Sequence, residues 1–471
     1  MTSWHLLPLR DQAKALQSRD VSVVELVEHY LERIERFNPV LNALVHVDSK
    51  VALERAERLS DTVAAPDATV LTGLPSADKD LVARAGMPTG YGSRLTSTGE
   101  RSDESDPMAL WLDRVGVISV GKTSTSEFGM AAATEALVCG PTKNPHDHNR
   151  SAGGSSGGAA SAVASGMLPF APGSDGGGSI RIPALSCGLV GWKPSRGLVP
   201  AGSGFEFLGG LAVPGLITKS VDDLGVAADL LVTGQWNWAT RAPGEPGGYA
   251  TAIAHPPRRL RIGVTRSSPW PADWDITLQP EGETALSLAV DALGDAGHEV
   301  IEWDWEPAPS YADDFVALWT ANAASLPVPD EQLELVEPLT RYLIERGRQL
   351  PAVDLVDALA GLRRFEHTTI SQFGQFDAVL TPGLSDVAPE LGWYDPEDAW
   401  RNFRQQVAIT PWTSFVNVAG LPAVSVPTHY SEDLPLGVQL IGQPGADSVV
   451  MGLANDIEAR LPGATRVPAG Y

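Results

Sequence analysis

Apolar residues recur at helical spacing early in the chain: Val23, Val27, Tyr30, Ile34 and Phe37 share one face when wound at 3.6 residues per turn. Ser22 and Glu25 stand at capping-box spacing ahead of that face, and Asn38-Pro39 is expected to end the helix. Further helical patterns cover residues 52–59, 108–114, 281–296 and 448–461. Short β-branched runs fall between them, at 115–120, 260–264, 379–380, 423–426 and 438–441. Such alternation predicts an α/β layered fold. Residues 233–257, rich in Gly, Pro and Trp, read as a long surface loop or a subdomain boundary. Residues 151–166, SAGGSSGGAASAVASG, would pass for a flexible linker on composition alone.

Composition narrows the class. At roughly 150 residues per domain, a 471-residue chain allows about three domains or one large one. Its 47 glycines and 37 prolines stay below the share that marks low complexity, and 43% hydrophobic residues can fill a core. Disorder and collagen are excluded. With 58 acids against 34 bases the formal charge is −24, which argues against nucleic acid as a partner. The first residues carry no basic stretch followed by an apolar run, and no run is long enough to cross a bilayer, so the expectation is a cytoplasmic protein with no membrane partner. Cys139 and Cys187 are the only cysteines, and no CxxC or HExxH motif accompanies them. No metal and no cofactor is expected. Only seven lysines occur, none beyond Lys219.

Two motifs invite chemistry and fail on physical grounds. Gly116-Val-Ile-Ser-Val-Gly121-Lys122-Thr123 matches the phosphate-loop pattern. Yet its middle residues read as a strand and a helix precedes it, the wrong order for a phosphate cradle and a nucleotide-binding protein. His146-Asp147-His148 lacks a third ligand, and adjacent side chains point apart, so it reads as a solvated turn.

A third constellation is separated in sequence and internally consistent. Gly153-Gly154-Ser155-Ser156-Gly157-Gly158 precedes Gly173-Ser174-Asp175-Gly176-Gly177-Gly178-Ser179-Ile180-Arg181, and Ser76-Ala77-Asp78-Lys79-Asp80 lies upstream. A serine hydroxyl needs a base to become a nucleophile; the bases at hand in these motifs and the next are Lys79, Lys193, Asp78, Asp80 and Asp175. Together with Gly188-Leu-Val-Gly191-Trp192-Lys193-Pro194, Asn417-Val-Ala-Gly420-Leu421-Pro422 and Leu436-Gly437-Val438-Gln439, these segments resemble the amidase signature family over nearly the whole chain.

The resemblance implies a Ser-Ser-Lys triad: Lys79 as base, Ser179 as nucleophile, and Ser155, at a cis peptide, as relay. It further implies an oxyanion hole from the amides of Gly176, Gly177, Gly178 and Ser179, with Ser156, Asp175 and Arg181 holding the loop. Lys79 must then be neutral; moving an amine from ~10.4 to ~7 costs ~4–5 kcal/mol, which burial can impose. Asp78 beside it departs from the family pattern and is expected to point away along an extended segment. Gly176 stands where larger apolar residues are common, which predicts a roomier acyl side. The fold implied is one α/β/α domain around a large mixed sheet, with residues 1–60 as an N-terminal helical arm, 61–232 as the signature core, 233–410 as a variable covering region and 411–471 as the core's C-terminal part. The activity implied is hydrolysis of a small-molecule amide through an acyl-enzyme, and the same carbonyl geometry admits anilides, esters and carbamates. Ten of 13 tryptophans follow residue 230, favouring a pocket for an aryl or apolar group; Phe205, Phe207, Trp393 and Trp412 are the candidates for its lining. The alternative within the family is the A subunit of a glutamine-dependent tRNA amidotransferase. Family members are often dimers, so a homodimer is compatible with the resemblance.

Overall fold

The computed structural model describes the chain except residues 1–2, 66, 97–98, 200–206, 233–241, 244–246, 462 and 464–465. Among the described residues, eleven strands form two sheets. β1 (Leu44–Val47), β2 (Pro75–Lys79) and β3 (Ile118–Thr123) make a small one in the order β1-β3-β2, with β2 and β3 parallel. The large sheet comprises β4 (Phe170–Asp175), β5 (Val190–Lys193), β6 (Val213–Thr218), β7 (Arg261–Val264), β8 (Glu299–Glu302), β9 (Ala378–Pro382), β10 (Ala423–Ser431) and β11 (Leu434–Gly442). Its order is β4-β6-β5-β10-β11-β9-β7-β8, antiparallel from β4 to β9 and parallel through β9, β7 and β8.

Strand alternation divides the core in two. Val424, Val426, Val438, Leu440 and Leu380 join one apolar cluster with Leu286, Met451 and Ile457 from helices Pro280–Asp295 and Asp447–Arg460. Their neighbours Ala423, Ile441 and Val379 join another, with Phe373 and Phe415. Because successive side chains face opposite ways, both faces of the sheet are covered, and β9 is buried at every position. This is the layered mixed α/β architecture expected.

Several local expectations shift. The capping box at Ser22 and Glu25 is present, but the helix runs Val23–Leu41 with Pro39 inside, and Asn42 ends it in the left-handed region. Asn38 spends its side chain instead on the amides of Ala43 and Leu44. Residues 233–257 lie partly outside the described residues, and their described part includes the helix Tyr249–Ala254. Residues 233–410 contribute β7, β8 and β9 to the sheet as well as covering helices. The phosphate-loop pattern falls on β3 after the helix Pro107–Arg114, and Lys122 donates to the Val82 carbonyl and, at 3.3 Å, to Thr89. His146 is half-buried rather than solvated: its Nε2 lies 3.2 Å from the Cys187 carbonyl, and its ring meets Tyr430. Among the described residues no cluster of acids, histidines or cysteines is arranged to hold a metal, and no helix is long and apolar enough to cross a membrane.

The linker-like segment is a packed turn leading into the helix Gly157–Ala164, and every residue from 151 to 166 is buried. A Cβ on Gly158 would meet the Ser124 nitrogen at 2.3 Å and the Ala43 oxygen at 2.5 Å, both backbone atoms that cannot swing aside. Gly158→Ala should therefore cost about 3 kcal/mol or more by overpacking, read as a lowered urea midpoint.

Candidate active site

Four segments converge at the edge between the two sheets. Lys79 ends β2, Asp175 ends β4, Ser155 follows a cis peptide from Gly154, and Ser179 precedes the helix Arg181–Ser186. The Lys79 ammonium, 1% exposed, donates to Ser155 Oγ at 2.7 Å, to Ser174 Oγ at 3.1 Å and toward the Ser174 carbonyl at 3.4 Å. Burial pushes its pKa down to about 7, against the opposing pull of Asp175. Lys193 is also depressed by burial and by Arg181, but its amine donates to the Pro194 carbonyl. Geometry, not pKa, distinguishes the two. Asp78 faces the other way, as strand alternation requires, and its carboxylate is taken by Arg84 and by Ser119 Oγ at 2.8 Å.

The glycine loop between β4 and the helix is shaped from beneath by Asp175. Its carboxylate accepts the Gly178 amide at 2.8 Å and the Ile180 amide at 3.1 Å. Burial would raise its pKa, yet the Arg181 guanidinium holds it well below the usual carboxylate range. Arg181, 0% exposed, grips both oxygens at 2.8 and 3.0 Å and reaches the Thr413 carbonyl, Asn417 and Gln439. Thr413 Oγ1 donates to the Gly177 carbonyl at 2.6 Å, turning that peptide outward. Gly178 itself sits at φ +128°, and a Cβ there would strike Thr413 Oγ1 at 2.6 Å. Its N–H is therefore committed to Asp175. The amides of Gly176, Gly177 and Ser179 have no acceptor among the described residues. Ser179 Oγ likewise has no hydrogen-bond partner among them, and Ser156 donates its amide to the Ser179 carbonyl at 3.1 Å.

A model of the family described as Amidase matches residues 25–451. The chain belongs to the amidase family. It is thus an enzyme that acts on amide bonds. A candidate amidase of Mycobacterium tuberculosis, AmiB2, is 34% identical over 97% of both chains. Among solved structures, a 6-aminohexanoate cyclic dimer hydrolase bound to substrate superposes with a TM-score of 0.89 at 27% identity, covering 99% of each chain. A bacterial aryl acylamidase of the amidase signature family superposes at 0.87 with 25% identity, covering all of both chains.

In this amidase a cavity of about 60 Å³ lies beside Ser179. Trp270, Phe315, Trp319 and Phe403 give it aromatic walls, Met130 and Ile182 add apolar ones, and no charged side chain is among the described lining residues. Tyr311, Phe315 and Trp319 lie four residues apart on the helix Tyr311–Ala324, and their rings stack at 5.7 and 5.6 Å. Trp319 also lies beside Gly176, 3.8 Å from where a Cβ would stand, an ordinary contact distance. None of the described aromatics proposed from sequence lines this cavity. Trp412 is buried in the second core with its indole on the Arg266 carbonyl, whereas Trp393 and Phe207 are exposed. Phe205 lies outside the described residues.

Sequence reasoning missed Ser174, Thr413, Asn417, Gln439 and the aromatic wall. The i, i+4 spacing of Tyr311, Phe315 and Trp319 was available, but core packing produces the same spacing. Removing Arg181 would leave Asp175 buried without its partner. Arg181→Ala should lose about 3–5 kcal/mol of stability, measured by denaturant unfolding.

Proposed function

We propose that this amidase works through an acyl-enzyme on Ser179, with Lys79 as base and Ser155 as proton relay. The observation that carries the proposal is the 2.7 Å hydrogen bond from a buried, depressed Lys79 amine to Ser155, together with a Ser179 hydroxyl that has no hydrogen-bond partner among the described residues. Neutral Lys79 takes the Ser155 proton as Ser155 takes that of Ser179. Ser179 Oγ then attacks the carbonyl carbon. The free amides of Gly177 and Ser179, with that of Gly176, stabilise the oxyanion. Collapse breaks the C–N bond while Ser155 passes a proton to the departing nitrogen, and Lys79 restores the one on Ser155. Water repeats the sequence on the ester and releases the acid. Ser155 and Ser179 are not hydrogen-bonded to each other here; catalytic contacts of this kind commonly close only around a substrate.

The aromatic, uncharged lining supports arylamides and anilides as preferred substrates, with no charge on the part beside Ser179, and aryl carbamates as the same carbonyl geometry presented differently. Glutamine, the amidotransferase substrate, carries a carboxylate that needs a base, and the described lining offers none.

A p-nitroanilide, acetamide and an aryl carbamate, each assayed with wild type, Ser179→Ala and Lys79→Ala, test both parts. The aryl compounds should turn over faster than acetamide, and both substitutions should cost roughly 10³-fold or more. Full activity in the two variants would sink the mechanism; acetamide turning over best would sink the substrate class. Because only the neutral amine is a base, kcat/KM should rise with pH through about 7 and level off above it. A pH titration of kcat/KM whose acid limb lies far from that value would remove Lys79 from the role.

A further inference from the structure

Beyond the catalytic cavity lies a second, larger one of about 300 Å³, and Ala131 and Gln406 line both. Gln406 is the partition: its Oε1 accepts the Ala132 amide at 2.7 Å, and its Nε2 donates to Asn402 at 2.6 Å. The walls of the outer chamber include Ala133, Ala136, Leu137 and Leu339, surface suited to methylene groups. Its polar groups are different in kind from those near Ser179. Glu135 and Glu337 both line it, and neither makes an ion pair among the described residues. One oxygen of Glu135 accepts the Gly392 amide at 3.0 Å; the other is buried with no hydrogen bond among the described residues, although the Ser151 hydroxyl is close enough to favour the charged form. Glu337 accepts the Leu137 amide at 2.7 Å.

The groups around these carboxylates do not neutralise them. Glu127 stands behind Glu337, bonded to Ser93 and to the Glu337 amide, and adds like charge. Arg94 offers Glu337 a partial offset, with its Nε on the Leu335 carbonyl. Asp395 also lines the chamber, but the amides of Glu397 and Asp398 occupy it, as does Arg401 at 3.3 Å. Burial pushes Glu135 up, and burial with Glu127 pushes Glu337 up to about 7 against the partial pull of Arg94. A second observation is independent of charge. Tyr394 is 8% exposed and lines the chamber beside Glu135, and its hydroxyl makes no hydrogen bond among the described residues, which leaves it open to a ligand in the chamber.

We infer that the chamber beyond Gln406 is a subsite for a primary alkylammonium group on the substrate, held by Glu135, Glu337 and the Tyr394 hydroxyl. An ammonium carries three donors and no acceptor, which suits two carboxylates and a phenol oxygen. The inference rests on the Ser179 reading and extends it: the substrate is an amide with an apolar segment at the scissile carbonyl and a protonated amine further along. The small volume beside Ser179 accounts for the segment, and the larger chamber for the remainder.

The test compares ω-aminoacyl p-nitroanilides of graded chain length with alkanoyl and ω-carboxyacyl analogues of equal length. In wild type, kcat/KM should favour the amino series over the alkanoyl series by about tenfold or more at one best length, with the carboxyl series poorest. Glu135→Gln, Glu337→Gln and Tyr394→Phe should each bring the amino-to-alkanoyl ratio toward one, in variants whose thermal melts show them folded. As a measurement that needs no variant, an n-alkylammonium ion should compete with substrate where the alkanol of equal length does not. An alkanoyl series as good at every length, ratios unmoved in folded variants, or alkanol inhibition equal to that by the ammonium would each overturn the subsite. Turnover of any series that survives Ser179→Ala would instead count against the mechanism on which it rests.

Discussion

Asp175 and Arg181 form an ion pair with no exposed surface, six residues apart across the turn that carries Ser179. A buried pair of this kind gains little net stability over apolar packing, because desolvating both charges offsets most of their attraction. What it supplies is direction. The carboxylate fixes the Gly178 and Ile180 amides, while the guanidinium ties the turn to Thr413, Asn417 and Gln439 more than 230 positions later. The amides of Gly176, Gly177 and Ser179 are left without an acceptor among the described residues. The same carboxylate is the one charge that opposes burial at Lys79, and burial prevails.

Electrostatic work at this site is divided among groups that sequence places side by side. Asp78 and Lys79 are neighbours, yet the strand sends one to Arg84 and the other to the serines. An acid next to a base in sequence need not be next to it in space, and at β2 period-two geometry keeps the amine free of a carboxylate that would hold it protonated.

Legibility followed how strongly each residue is constrained by its own local surroundings. Lys79, Ser155, Asp175 and Ser179 stand in short stretches crowded with Gly and Ser, where backbone requirements leave few alternatives, and the chain brings them together. The α/β alternation was readable for the same reason: β-branched runs and helical periods are local properties. The end of the first long helix was not, because Pro39 is tolerated once Asn38 is recruited to the following turn. Nor were Thr413, Asn417 and Gln439 assigned roles, although two of them stand in motifs that were noticed; their partners lie hundreds of residues away. The cavity's aromatics escaped because a tryptophan in a core and one in a pocket obey the same pattern. Gly178 shows a finer limit: the resemblance placed its amide in the oxyanion hole, whereas that N–H turns to Asp175.

The strand order of the large sheet has a consequence for the order of assembly. β10 and β11, the last strands to leave the ribosome, lie in its middle, between β5 and β9. Until they emerge, β5 and β9 have open edges and the two halves of the sheet have no common neighbour. The Lys and both Ser residues are translated long before, within the first 179 positions. Arg181 gains its contacts with Thr413, Asn417 and Gln439 only when the chain has been made through β11. Lys79, Ser155 and Ser179 are thus made well before the groups that hold Arg181, and the buried network around Asp175 is complete only once the final hairpin is inserted.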